Sequence, residues 1–216
     1  MSARAGAAAE AQLERAWWLR VPAVLLAPTA VFAALRDDSD EAAGARQEPI
    51  TAVVGLAGIA GVLTTPVARR LLDDTSIGTA LVPVWAFIGG AVYGIALYWL
   101  LGLFLYAAVR GLGSLGDHRR ARHLLAYAAV PLALSLLALW PVRVAVYGSD
   151  LFRSGGTDRG TGDAVFSALN AAFFAWTLVL LAIGVRAVHG WTWPRSLAAT
   201  ALAAALPALV VLASLL

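Results

Sequence analysis

The chain has 216 residues, of which 61% are hydrophobic and 13% are charged, and its mean hydropathy is +0.78. Soluble domains average about 25% charged and about 45–50% apolar residues, so this composition indicates a membrane protein. The chain lacks cysteine and lysine, which excludes disulfides, thiolate chemistry, a P-loop lysine and a Schiff base. The net charge of +3 is small and indicates membrane topology rather than nucleic-acid binding.

The chain divides into an N-terminal segment and a transmembrane domain. Residues 1–49 contain an apolar stretch at 16–35, followed by a charged stretch at 36–49 that we interpret as a polar linker. Residues 50–216 consist of long apolar runs separated by short charged loops. We therefore expect two parts, a cytoplasmic segment and a membrane-embedded domain.

The stretch 16–35 is apolar but poorly suited to crossing a bilayer. Pro22 and Pro28 would kink or break a helix, and the uninterrupted apolar part is shorter than a span of about 20 residues. Trp17 and Trp18 are residue types enriched at headgroup level. We expect an interfacial helix here, with a sixth span or a cleaved signal peptide as the alternatives.

Five apolar runs are predicted to be transmembrane helices, because lipid requires every backbone hydrogen bond to be made within the protein. They cover residues 50–68, 81–109, 124–142, 164–185 and 197–216. The second run is about 43 Å long as a helix, which exceeds a hydrocarbon core of about 30 Å, so it should tilt or project. The predicted fold class is all-α, a polytopic helical membrane protein with about five spans and an interfacial N-terminal helix.

Arginine placement predicts the topology. Eleven of the sixteen arginines fall before the first span, after the second span or after the fourth span. The positive-inside rule then places the N-terminus in the cytoplasm and the C-terminus outside, in the cell membrane.

Small and polar residues inside the spans indicate helix packing rather than transport. Gly90 and Gly94 follow a small-xxx-small pattern, expected to bring helices together within one chain or at a dimer seam. Pro131 should bend the third span. Asn170 is expected to hydrogen-bond between helices, with a substrate contact as the alternative. No Asp or Glu lies within a predicted span, which disfavours an ion-coupled transporter.

A basic loop at residues 117–123 is the clearest candidate contact site. Together with the end of the second span, it presents four arginines, namely Arg110, Arg119, Arg120 and Arg122. They could bind anionic lipid headgroups or an acidic partner, or they could serve only to set the topology. The three histidines have no carboxylates arranged with them, and we expect no metal, no cofactor and no catalytic residue.

The layout resembles that of a known family. The segment PTAVFAALRDD precedes the first span, and HLLAYAAVPLALSLL carries Pro131 early in the third. In the fourth span, Trp176, Gly184 and Arg186 lead into the last loop. Over roughly residues 25–216 the chain resembles the prokaryotic branch of the Yip domain family of five-span integral membrane proteins. The resemblance implies a cytoplasmic N-terminus and carries no catalytic residues. The eukaryotic Asp-Leu-Tyr-Gly-Pro signature and its small-GTPase interaction are not implied.

The sequence thus favours a non-enzymatic membrane adaptor or organiser. Its expected partners are membrane lipids, another membrane protein or a second copy of the chain, and not nucleic acid. The alternative is a small passive permease or lipid-handling protein. Residues that could border its polar cavity are Tyr93, Tyr98, Tyr127, Pro131 and Asn170.

Overall fold

The computed structural model describes residues 2–65, 68, 70, 73, 81–151, 157 and 160–213. All regular secondary structure in these residues is helical, which confirms the predicted fold class. The helices are α1 (Ser2–Leu26), α2 (Pro28–Ala34), α3 (Asp40–Ala45), α4 (Gln47–Leu63), α5 (Leu81–Gly111), α6 (His118–Ala128), α7 (Val130–Tyr147), α8 (Thr161–His189) and α9 (Trp193–Ala213). A short 3₁₀ turn, Gly148–Asp150, follows α7.

Three helical stretches in the described residues are long and apolar enough to cross a membrane. They are Pro83–Gly111, His118–Tyr147 and Thr161–His189, and the second combines α6 and α7. Helix α4 is apolar but shorter, with 17 residues. These helices confirm a polytopic helical membrane protein, while the count of five spans stays a prediction.

The first predicted span, 50–68, is shorter in the structure, because α4 ends at Leu63. The hydroxyl groups of Thr64 and Thr65 donate to carbonyl oxygens of the last turn at 2.6 and 2.7 Å. Thr65 also precedes a proline, and the residue before proline avoids the helical conformation. Residues 66 and 67 of this predicted span lie outside the described residues.

The other predicted spans lie within longer helices. Helix α8 extends the predicted 164–185 at both ends, and α6 with α7 extends 124–142. Helix α9 begins before the predicted residue 197, and residues 214–216 lie outside the described residues.

The expected single helix over 16–35 is two helices. Helix α1 begins at Ser2 and runs through Pro22, and the helical path breaks at Ala27, whose φ is −135°. Ala27 precedes Pro28, which starts α2 with the fixed φ that suits a first helical position.

The chain forms two compact units. Unit 1 contains Met1–Val53, Tyr98–Val130 and Leu178–Leu216, and unit 2 contains Val54–Leu97 and Pro131–Thr177. Helices α5 and α8 each contribute residues to both units, and the predicted N-terminal segment falls within unit 1.

The interior of unit 1 forms around the N-terminal helices. Helix α1 contacts α2, α3 and α6. Trp17 is only 2% exposed, and its ring lies 5.7 Å from that of Tyr127, so it packs inside the protein, while its position relative to the headgroups stays a prediction. The ring of Phe32 lies against Gly184, where a Cβ atom would come within 3.0 Å of it. The N-terminal segment is therefore an integral part of unit 1.

The interior of unit 2 contains an apolar cluster. Its buried members are Leu63, Trp140 and Leu151, surrounded by partly buried side chains from α4, α5 and α7. Arg143 is also buried here and forms an ion pair with Asp163 at 2.9 Å. The pair links α7 to the first turn of α8 within this unit.

Candidate functional site

The glycines predicted to mediate packing lie where α4 and α5 cross in unit 2. A Cβ atom built on Gly90 would lie 2.5 Å from the Cα atom of Ile59, and one on Gly58 would lie 2.6 Å from the Cα atom of Gly94. Any side chain would force the two backbones apart. The structure thus places Gly90 and Gly94 in a contact within one chain.

Asn170 and Pro131 act within their own helices. The side-chain nitrogen of Asn170 donates to the carbonyl oxygen of Phe166 at 3.0 Å, one turn earlier in α8, rather than to another helix. Pro131 is buried at the second position of α7. A first-turn proline needs no N–H partner, so Pro131 marks the start of a helix and not a bend within one.

The basic segment 117–123, expected to be a loop, forms the beginning of α6. The Asp117 carboxylate accepts a hydrogen bond from the backbone N–H of Arg119 at 2.5 Å, which caps the helix. This capping signal is present in the sequence. Within the helix, His118 and Arg122 are four residues apart and share a face.

Arg46 is fully buried in the segment expected to be a polar linker. Its guanidinium donates to Nδ1 of His123, to the carbonyl oxygen of Asp37 and to the carboxylate of Asp38, each at 2.8 Å. The ring of Trp17 lies 5.3 Å from it. Burial lowers the pKa of Arg46, while the Asp38 carboxylate opposes that shift, and arginine stays charged in proteins.

Asp38 is the centre of an arginine cluster in unit 1. Besides Arg46, its carboxylate lies 3.3 Å from Nε of Arg119 and 3.7 Å from a terminal nitrogen of Arg120. Arg119 also pairs with Asp40 at 2.7 Å. Two of the four predicted contact arginines therefore bind an acidic segment of their own chain.

The charged segment that supplies Asp38 is folded, not a solvated linker. Ser39 caps α3 by accepting a hydrogen bond from the backbone N–H of Ala42. The backbone N–H of Ser39 donates to Asp37, which holds the pKa of that carboxyl below its usual value. Arg36 donates to the carbonyl oxygen of Ala187 near the end of α8. The segment thus ties together separate parts of unit 1.

Arg122 and Arg110 have a different environment. The guanidinium of Arg122 lies 3.6 Å from the ring centroid of Trp99, and that of Arg110 donates to the hydroxyl of Tyr106 at 2.6 Å. The His118 ring lies 5.8 Å from both aromatic rings. Within the described residues, neither arginine contacts a carboxylate.

A serine and a histidine that sequence reasoning missed lie together in unit 1. The Ser114 hydroxyl oxygen lies 3.2 Å from Nδ1 of His189 and accepts from the backbone N–H of Gly116 at 3.0 Å. Nucleophilic catalysis also requires a group that orients the base. Among the described residues, no carboxylate bonds to this imidazole, which instead lies against Trp191. The contact between Ser114 and His189 therefore holds the loop between α5 and α6 to the end of α8.

Large apolar side chains cover the outer faces of the long helices. On α5 these exposed residues are Val84, Trp85, Phe87, Ile88, Val92 and Ile95, and on α8 they are Val165, Leu169, Phe174 and Val179. Contiguous apolar surface of this kind is rare on soluble monomers and indicates contact with lipid or with other helices.

The fold and these surfaces define a polytopic helical integral membrane protein. The chain belongs to the Yip1 domain family, whose model matches residues 16–215. The match covers nearly the whole chain and confirms the resemblance seen in the sequence. Comparison with curated proteins and with solved structures gave no match.

Proposed function

We propose that the protein is a non-enzymatic membrane adaptor or organiser, which acts through helix–helix and lipid contacts. The observation that carries the proposal is the set of large apolar side chains on the outer faces of α5 and α8. Such faces bind lipid chains or the helices of another membrane protein, and this binding requires no catalytic group.

The arrangement of the polar groups supports the same function. Arg46, Arg119 and Arg120 are engaged by Asp38 in a structural cluster, and Asn170 bonds to its own helix. The three arginines thus stabilise the interior of unit 1, and Asn170 stabilises one turn of α8. We further propose that the N-terminus is cytoplasmic and the C-terminus outside, as the arginine distribution predicts.

Native mass spectrometry of the protein, extracted in particles of its own membrane lipids, tests the adaptor proposal. A dimer, or a complex with a second membrane protein, is the expected result. A monomer that instead retains one defined small molecule would overturn it and favour the permease or lipid-handling alternative. In that case Asn170→Ala would be the first variant to examine for loss of the bound molecule.

A further inference from the structure

We propose that Arg110 and Arg122, together with Trp99 and Tyr106, form a binding site in unit 1 for the headgroup of an anionic phospholipid. This inference rests on the proposed function and specifies the class of lipid. It starts from the four arginines that the sequence marked as one contact group, because the structure separates them into two pairs.

Charge complementarity distinguishes the two pairs. Arg119 lies against Asp38 and Asp40, and Arg120 lies against Asp38, so both are engaged by carboxylates of the same chain. Arg110 and Arg122 meet aromatic rings instead, and no carboxylate pairs with either of them in the described residues. Two uncompensated guanidinium groups therefore remain for an external anion, and arginine suits the geometry of phosphate oxygens.

The aromatic residues at this site are those of a membrane interface. Trp99 is 51% exposed and lies under the Arg122 guanidinium, while Tyr106 bonds to Arg110. His118 lies between the two aromatic rings and completes the surface. Tryptophan and tyrosine concentrate at headgroup level, where one side of the ring meets lipid and the other meets polar groups.

The position along α5 agrees with headgroup level. Counted from Leu81, where the apolar run begins, a hydrocarbon core of about 30 Å ends near Trp99. Arg110 reaches back one turn to the Tyr106 hydroxyl, so its charge lies about 10 Å beyond Trp99 along the helix. The two cations thus fall at the edge of the hydrocarbon and within or just above the headgroup layer.

Neighbouring apolar side chains indicate a lipid rather than a soluble phosphate. Leu100 and Leu103 follow Trp99 on α5, and both are exposed. The glycerol and the first acyl carbons of a lipid can cover them, while the phosphate lies between the two guanidinium groups and is attracted by both. A free phosphate would leave these leucines in contact with solvent or other lipids, so the surface is suited to an amphiphilic anion.

The test is a titration of the full-length protein in neutral detergent, with bound lipid counted by native mass spectrometry. The probes are phosphatidylglycerol and phosphatidylcholine with the same acyl chains. Each basic residue near an anionic headgroup contributes a factor of about five in affinity. We therefore expect Arg110→Ala and Arg122→Ala each to weaken phosphatidylglycerol binding about fivefold, with phosphatidylcholine binding unchanged.

Two further variants make the result specific. Arg186→Ala is the matched control, because Arg186 is exposed and lies over Trp193 but is not in this cluster. It should bind phosphatidylglycerol like the unmodified protein. Arg122→Lys keeps the charge and the aliphatic stem against Gly102 but loses the stacked guanidinium, so it should recover part of the affinity that Arg122→Ala loses.

The outcomes separate the possible ligands. Equal phosphatidylglycerol binding by the unmodified protein and both alanine variants would overturn the site, as would an equal loss in Arg186→Ala. Displacement of the lipid by an equal concentration of inorganic phosphate would assign the site to a free phosphate instead. The adaptor proposal depends on complexes in native lipid particles, so either proposal can fail while the other stands.

Discussion

Arg46 shows how a charged residue can be stable inside unit 1. Moving a guanidinium out of water costs several kcal/mol, and this is offset only where good hydrogen bonds replace the lost water. Three acceptors supply those bonds, namely His123, the Asp37 carbonyl oxygen and the Asp38 carboxylate. Because Nε of Arg46 donates to Nδ1 of His123, that nitrogen carries no proton, and the neutral imidazole has its proton on Nε2. Removing Arg46 would leave Nδ1 of the buried His123 without this donor and would remove one of the arginines at Asp38.

Arg46→Ala is therefore expected to destabilise the protein by about 3–5 kcal/mol, the cost typical of breaking a buried ion pair. Thermal or denaturant unfolding in detergent would measure it. Arg15→Ala is the control, because Arg15 is exposed and such substitutions change stability by about 0.5 kcal/mol or less. If both variants unfold alike, Arg46 does not hold the cluster together.

Asp38→Asn tests the arginine cluster from its acidic side. The substitution leaves Arg46 and Arg120 without a carboxylate and Arg119 with Asp40 alone, so stability should fall and should recover partly at high salt. Asp40→Asn is the matched control, since the Asp40 side chain is 96% exposed and such pairs contribute about 0–1 kcal/mol. Unfolding curves of both variants at about 0.05 and 0.5 M salt would show the difference. Equal and salt-independent losses would contradict the central role of Asp38.

At the scale of the helices, backbone chemistry decides where each begins and how closely two approach. Ala27, which precedes Pro28, separates α1 from α2, and Asp117 caps α6. In unit 2, Gly58 and Gly90 allow α4 and α5 to approach at backbone distance. Close approach increases dispersion contacts, which drive helix association where lipid removes the hydrophobic driving force.

Gly90→Ala should destabilise unit 2 by about 1–3 kcal/mol, because the new methyl group would overlap Ile59. Gly89→Ala is the matched control one residue away, where a Cβ atom would meet only the Val62 side chain at 3.9 Å. It should be neutral or up to about 1 kcal/mol more stable, since alanine favours helices. Unfolding and native mass spectrometry would be measured on both. If Gly90→Ala separated a dimer without lowering monomer stability, the glycines would form a seam between copies instead.

At the scale of the whole chain, the sequence predicts the long apolar helices that a bilayer requires of any helical protein crossing it. A bilayer requires long apolar helices with internal backbone bonds, so helices around 81–109, 124–142 and 164–185 follow directly from composition. Long-range pairing is not visible in this way. Arg46 and His123 are 77 residues apart, and Arg119 and Asp40 are 79 apart.

The sequence therefore indicated only a polar linker at residues 36–49, and the partners of its charged residues were not predicted. The buried position of Trp17 was missed for the same reason, since its partner Tyr127 belongs to a distant helix. The Asp117 cap was also missed, since residues 117–123 were predicted to be a loop, although an acidic residue before a run of helix formers is a local signal. The packing role of Gly90 and Gly94 follows from a spacing that the sequence shows directly, whereas the pairing of distant charged and aromatic residues leaves no such pattern.

The crossings before Thr157 can be tested by chemical labelling, because the chain has no cysteine of its own. Gln12, Leu115 and Thr157 are exposed, and each can be replaced by a single cysteine. Five spans place two crossings between Gln12 and Leu115, so these two positions must share a side.

A membrane-impermeant maleimide should label Thr157→Cys in intact cells, and should label Gln12→Cys and Leu115→Cys only after permeabilisation. If only the three long helices crossed, Gln12 and Leu115 would lie on opposite sides, because one crossing would separate them. Labelling of Gln12→Cys and Leu115→Cys from opposite sides would thus reject the five-span count, whichever way the protein faces.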